Sequence, residues 1–114
     1  FRIIIKNKVN IMKKLKSLLL VPIIALGMSS VASADGASLF KAKTCWACHG
    51  KDANSPLLPI YPKLAGQNAD YAFTQLKDIK SGKRSNGQSA AMQGVMVLVN
   101  EAEMREIADW LSTL

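Results

Sequence analysis

The sequence predicts an all-α fold of three main helices wrapped around a central group. Two observations carry the helical reading. Two stretches repeat apolar residues at helical spacing behind recognisable caps, and a third, shorter one precedes them. No stretch alternates apolar and polar residues as a half-buried strand does. A third observation, the run Cys45-Trp46-Ala47-Cys48-His49, bears on what the helices enclose.

The first helix is short, roughly Gly36 to Lys43, with Leu39 and Phe40 as its apolar content. Its Gly36 and Phe40 are expected to pack against the face of the last helix that carries Trp110, since glycine has no Cβ to hold a neighbour off. The second helix spans about Ala69 to Ser81. Asn68 serves as N-cap, Ala72, Leu76 and Ile79 recur on one face, and Gly82 fits the C-terminal stop. The third is the clearest. Asn100 caps it, Glu103 completes a capping box, and Met104, Ile107, Ala108 and Leu111 fall at i, i+3, i+4 and i+7. Asn54 to Pro62 holds three prolines and cannot be regular helix. Ser81 to Gln88, rich in Gly, Ser, Asn and cations, reads as a loop. Val95 to Val99 has strand-like composition and reads as buried chain running into the last helix.

The motif is C-x-x-C-H, the attachment signature of a c-type haem. Two thiols add across the two vinyl groups, and the histidine that follows becomes the proximal iron ligand. A redox dithiol would want a βαβ setting, which is missing from the pattern. A zinc site would need more ligands than these two cysteines and this histidine, the only ones in the chain. A short-loop disulfide would leave the adjacent histidine unexplained. The expected cofactor is therefore one covalently bound haem c, held by Cys45 and Cys48, with His49 on the iron.

The formal net charge of +7 misleads about partners. Residues 1–34 hold Arg2, Lys6, Lys8, Lys13, Lys14 and Lys16 and no acid, whereas residues 35–114 hold nine cations against eight acids. The basicity belongs to a segment expected to be removed, so no nucleic-acid partner is implied. Residues 12–34 read as a signal peptide: Met12-Lys13-Lys14-Leu15-Lys16 is the basic start, Leu18 to Leu26 the apolar run, and Ala32-Ser33-Ala34 the cleavage site. The apolar run falls short of the roughly 20 residues a spanning helix needs, so no stable membrane anchor is expected after cleavage. Residues 1–11 read as upstream sequence translated by mis-annotation. Residues 35–114 remain as the haem domain, small enough to need the haem as a staple. Export suits the motif, because this attachment takes place on the outer side of the bacterial inner membrane. The expected location is the periplasm.

The sixth iron ligand is constrained by elimination. The one histidine is spent, Met12 and Met28 leave with the signal peptide, and Met104 lies on the apolar stripe of the last helix. Met92, Met96 or an open iron remain.

At this point the residues resemble a known family, the small class I c-type cytochromes of bacterial periplasms, especially the c4 and c5-like group with its single-domain c553-type members. The resemblance covers nearly all of residues 36–114. It is carried by Gly36 to Phe40, Cys45 to Gly50, the run Tyr61-Pro62-Lys63-Leu64-Ala65-Gly66-Gln67, Gln75-Leu76, Gly82 to Asn86, Met92-Gln93-Gly94 and the final helix. A c4 protein has two haems and this chain has one motif, so it looks like the single-domain version. The resemblance implies a fold whose terminal helices cross near the haem edge, and six-coordinate iron with His on one side and Met on the other. The family's ligand sits in a Met-x-Gly setting, which points to Met92. The family holds its proximal histidine through a proline carbonyl, and Pro62 is the match. Arg84 and Asn86 are candidates to hold a haem propionate. Trp46 is expected at the haem edge.

The function expected is a soluble carrier of single electrons between redox protein partners, not an enzyme, and a monomer. Two alternatives stand beside it: a haem subunit docked on a periplasmic dehydrogenase or oxidase, and a ligand sensor or weak peroxidase if the distal site is open. Residues 35–84 hold eight cations and four acids, and residues 85–114 hold Arg105 against four acids. This layout suggests a dipole that orients docking, with Lys41, Lys43, Lys63, Lys77 and Lys83 as candidates.

Overall fold

A computed structural model describes residues 34–114; the expectations for residues 1–11 and for the signal peptide fall almost wholly outside them. The described residues form five helices and no strand: α1 (Gly36–Ala42), α2 (Trp46–His49), α3 (Ala69–Ser81), α4 (Ser89–Met96) and α5 (Glu101–Ser112). Helix α5 packs against both α1 and α3, and α4 packs against α3. Among the described residues no helix is long and apolar enough to cross a membrane.

The three expected helices form where their caps place them. The Asp35 carboxylate accepts from the Ser38 amide at 2.8 Å and starts α1. Asn68 accepts from the Tyr71 amide at 3.0 Å and starts α3, which ends at Gly82 with φ 81°. Asn100 and Glu103 bond reciprocally, side chain to backbone, at 2.9 and 3.0 Å, so the α5 capping box is complete.

Helices α1 and α5 make the tightest approach. A Cβ on Gly36 would collide with Glu106 O and Trp110 Cβ, so only glycine lets the two backbones meet there. One turn on, the Phe40 and Trp110 rings lie 5.1 Å apart and tilted by 51°, a favourable aromatic geometry. Leu39, Phe40, Ile79, Met96, Val99, Met104, Ile107 and Leu111 form the buried core.

Two helices go beyond the three expected. Helix α2 is the haem motif itself, coiled into a single turn. Helix α4 has no side-chain N-cap, since Gln88 makes no capping bond. It therefore depends on packing more than on local signals. The reading of Val95 to Val99 as buried chain is corrected in part. The segment opens inside α4, and only Met96 and Val99 are buried, whereas Val97 and Leu98 are each 70% exposed. The i, i+3 spacing of Met96 and Val99 across the turn that ends α4 sends those two inward and the pair between them out.

The proline-rich stretch forms no regular helix and folds back beneath the motif. Leu57 N donates to Cys48 O at 3.0 Å, and both Leu64 N and Ala65 N donate to Ala53 O. Gly66 N donates to Leu111 O at 2.9 Å, fastening the loop to α5.

Candidate haem site

The local backbone explains how the motif presents its side chains. Thr44 takes φ 61°, an uncommon conformation for a β-branched residue. It turns the chain sharply from α1 into α2, and Cys45 N then donates to Phe40 O at 3.1 Å. Within the turn His49 N donates to Cys45 O at 3.1 Å. Helical geometry puts positions i, i+3 and i+4 on one face, which brings Cys45, Cys48 and His49 together. Gly50, with φ 86°, follows at once, where a Cβ would collide with Ser55 O. The motif is thus fixed at both ends by strained or glycine-only backbone.

That face opens into a cavity of about 500 Å³. Its lining includes Cys45, Cys48, His49, Pro62, Arg84, Asn86 and Met92, all seven residues singled out from the sequence. Much of the remaining wall is aliphatic, with Ile60, Leu64, Leu76, Ile79 and Val95. The apolar stripe of α3 is largely this wall: Ala72, Leu76 and Ile79 all line the cavity, joined by Tyr71 and Gln75.

The His49 ring is 6% exposed, and its Nδ1 lies 2.8 Å from Pro62 O. A carbonyl can only accept, so Nδ1 carries the proton and the lone pair is left on Nε2. This is the tautomer an iron ligand needs. Both thiols are free. Burial pushes the Cys45 thiol up to about 11. A catalytic dithiol has its thiol depressed, not raised, so the pair suits covalent attachment better than redox exchange.

Arg84 is fixed by two bonds to α3. Its backbone N donates to Asp78 O at 3.0 Å and its Nη1 to Gln75 Oε1 at 2.9 Å. Asn86 is exposed on the adjoining loop. Met92 is half-buried on the cavity wall, whereas Met96, 2% exposed, belongs to the core and is not part of the lining. Met104 is likewise buried among the helices. Trp46 is 40% exposed and outside the lining; its neighbours on the helical turn, not Trp46, take the inward face.

Several lining residues escaped the sequence reading. Ile60 sits among prolines without periodicity, and Tyr71 and Gln75 are polar positions beside an apolar stripe. Tyr71 and Gln75 are spaced i, i+4, the one signal that could have joined them to that face.

The charge layout also changes in three dimensions. Lys43 pairs with Glu103 at 3.0 Å, Lys77 with Glu101 at 3.3 Å and Lys83 with Asp78 at 3.8 Å. Three of the five expected docking lysines are thus matched by acids, two of them on α5. Lys43 and Lys77 thus meet acids from the far end of the chain, whereas Lys83 meets an acid of its own half.

An all-helical domain with a C-x-x-C-H turn facing an apolar cavity, beside a histidine held in the ligating tautomer, fits a covalently bound haem. The comparisons agree. A family model described as Cytochrome c matches residues 33–114, and the chain belongs to the cytochrome c family, of the c4/c-553 kind. It is 37% identical over 102 residues to cytochrome c4 of Pseudomonas aeruginosa, covering 87% of this chain and 49% of that protein. It is 33% identical over 91 residues to cytochrome c-553 of Nitratidesulfovibrio vulgaris, covering 80% of this chain and 87% of that one. A third relative, the thiosulfate dehydrogenase electron acceptor of Stutzerimonas stutzeri, is 37% identical over 73 residues, covering 64% of this chain and 32% of that protein. The chain spans about half the length of the cytochrome c4 relatives it matches. The cofactor of this family is covalently attached haem c, and Cys45 and Cys48 fit its attachment motif.

Proposed function

We propose that the protein is a soluble monohaem electron carrier of the periplasm, exported by cleavage of residues 12–34 and monomeric. The observation that carries this reading is the grouping of Cys45, Cys48, His49 and Met92 around one apolar cavity. When bound there, haem iron supplies a one-electron couple between the ferric and ferrous states.

Every other role falls to the chain's own residues. Cys45 and Cys48 hold the group by thioether bonds. His49 ligates through Nε2, and the Pro62 carbonyl fixes its ring and raises its basicity. Met92 supplies the distal thioether, which with histidine raises the reduction potential. The aliphatic wall excludes water, so little solvent has to reorganise when the charge changes. Arg84, aimed by Gln75, and Asn86 meet the propionates at the polar rim. With His49 and Met92 both holding the iron, no open position would remain for a substrate, and the protein would act on other redox proteins.

The test is Met92→Ala. The variant should keep its covalent haem, lose the weak near-infrared methionine band, bind carbon monoxide when reduced and fall in potential. Met96→Ala should change none of these and should destabilise the fold by about 2–5 kcal/mol as a core truncation. If the two variants exchange these phenotypes, Met96 is the ligand; if neither alters the spectrum, ligand binding or peroxidase chemistry replaces the carrier reading. The thiosulfate dehydrogenase relative favours a second reading, in which the carrier takes its electrons directly from a dehydrogenase. Stable co-purification with such an enzyme would support it.

A further inference from the structure

We propose that Lys43 and Lys80 are positioning residues for Met92, acting through the carbonyls that follow its helix. This rests on the reading of Met92 as the distal ligand. Helix α4, which carries Met92, lacks a side-chain cap at its start, and the loop before it is largely exposed. Its side-chain polar ties to the rest of the molecule lie mainly at the other end. Lys43 Nζ donates to Leu98 O at 2.7 Å, and Lys80 Nζ donates to Val99 O. Carbonyls just past a helix C-terminus lack helical partners and attract cations, so both ammonium groups sit where they hold the chain best.

The two lysines come from opposite sides of the molecule's sequence. Lys43 caps α1, two residues before Cys45. It therefore links the haem-attachment segment to the end of the methionine helix, 55 residues on. Lys80 belongs to the last turn of α3, which walls the cavity. Between them stands Glu103. Its Oε1 pairs with Lys43 at 3.0 Å and its Oε2 accepts from Asn100 N at 3.0 Å. The knot thus ties α1, α3, the α4–α5 connection and α5 at one point. The ion-paired side chains of Lys43 and Glu103 are only 22% and 24% exposed, so water screens the pair less than it would an open surface pair.

The consequence for the site is mechanical. A thioether is a weak ligand, and it competes with small ligands only while the protein keeps its sulfur in place. Leu98 lies six residues after Met92 and two beyond the end of α4, so freeing the Leu98 and Val99 carbonyls loosens the segment that fixes where that helix ends. The remaining polar tie, Gln93 Nε2 to Lys80 O, is long at 3.5 Å and cannot substitute.

The experiment uses the haem-loaded ferric protein and imidazole as the competing ligand, followed in the visible spectrum. Lys43→Met and Lys80→Met keep the aliphatic stems and remove the donors. The double variant should bind imidazole about tenfold more tightly than the parent, since two charge-assisted bonds no longer oppose methionine release. Lys43→Arg should return to within about twofold of the parent. Lys77→Met, which breaks an α3–α5 ion pair without touching these carbonyls, should leave imidazole affinity unchanged while measurably shifting denaturant stability. Met92→Ala sets the fully open limit. Parental imidazole affinity in the double variant, with tight binding in Met92→Ala, would overturn the positioning role alone. Parental affinity in Met92→Ala itself would overturn the distal-ligand reading and the inference with it.

Discussion

The α1–α5 crossing and the cavity side are built on opposite plans. At the crossing, Gly36, Phe40, Trp110 and Ile107 close on one another and leave no room for a guest. Around the cavity, α2, the proline-rich loop and α4 surround about 500 Å³ that their own side chains leave open. The first region is complete as a polypeptide. The second is complete only with its cofactor, and the difference teaches that stability and function are divided between the two halves of one small domain.

The strongest way to break this comparison is to produce the chain without haem. An apolar-walled cleft of this size leaves Leu76, Ile79, Met92 and Val95 without the packing partner that haem supplies. The cavity side should therefore collapse or melt. Hydrogen exchange should find the amides of Ser89–Met96 unprotected, with residual protection confined to α1, α3 and α5. Equal protection of α4 would show that the cavity side stands without its cofactor.

A smaller effect sharpens the other half. Phe40 is 2% exposed and stacked on Trp110. Phe40→Ala should lower the stability of the haem-loaded protein by about 3–5 kcal/mol while leaving its spectrum intact. Denaturant unfolding checks the first part and the visible spectrum the second. A loss under about 1 kcal/mol would mean that the crossing matters little.

The smallest effect lies where the halves join. The amide of Asn100, with help from Lys43, holds the Glu103 carboxyl below the usual carboxylate range. A depressed folded pKa contributes stability above the unfolded value, and that contribution disappears as pH falls through the folded value. Glu103→Gln should thus be less stable than the parent at neutral pH, by an amount within about 1 kcal/mol. In acid below the lowered Glu103 pKa the two should converge. Denaturant midpoints across that range measure the gap, and a gap that persists in acid would mean the loss is packing, not charge.

The α3 and α5 helices were legible because caps and periodicity are local. Asn68, Gly82, Asn100 and Glu103 act within a turn of themselves, and the apolar stripe of α5 needs only a helix to become a face. The haem motif was legible for a similar reason, since the spacing of Cys45, Cys48 and His49 is itself the chemistry. The Pro62 and Met92 expectations came from resemblance, because their roles depend on residues far away in the chain.

Sequence alone determined an all-α domain and a covalent haem attached at the Cys45–His49 motif. Only the tertiary structure decided that the α3 stripe faces a cavity, that α4 is a helix, and that Val97 and Leu98 point outward. It also decided that Lys43 and Lys77, two of the lysines expected to steer docking, meet acids of α5. The physical reason is common to all four. Periodicity tells which residues share a face, but what that face meets is settled by chain segments brought together from a distance.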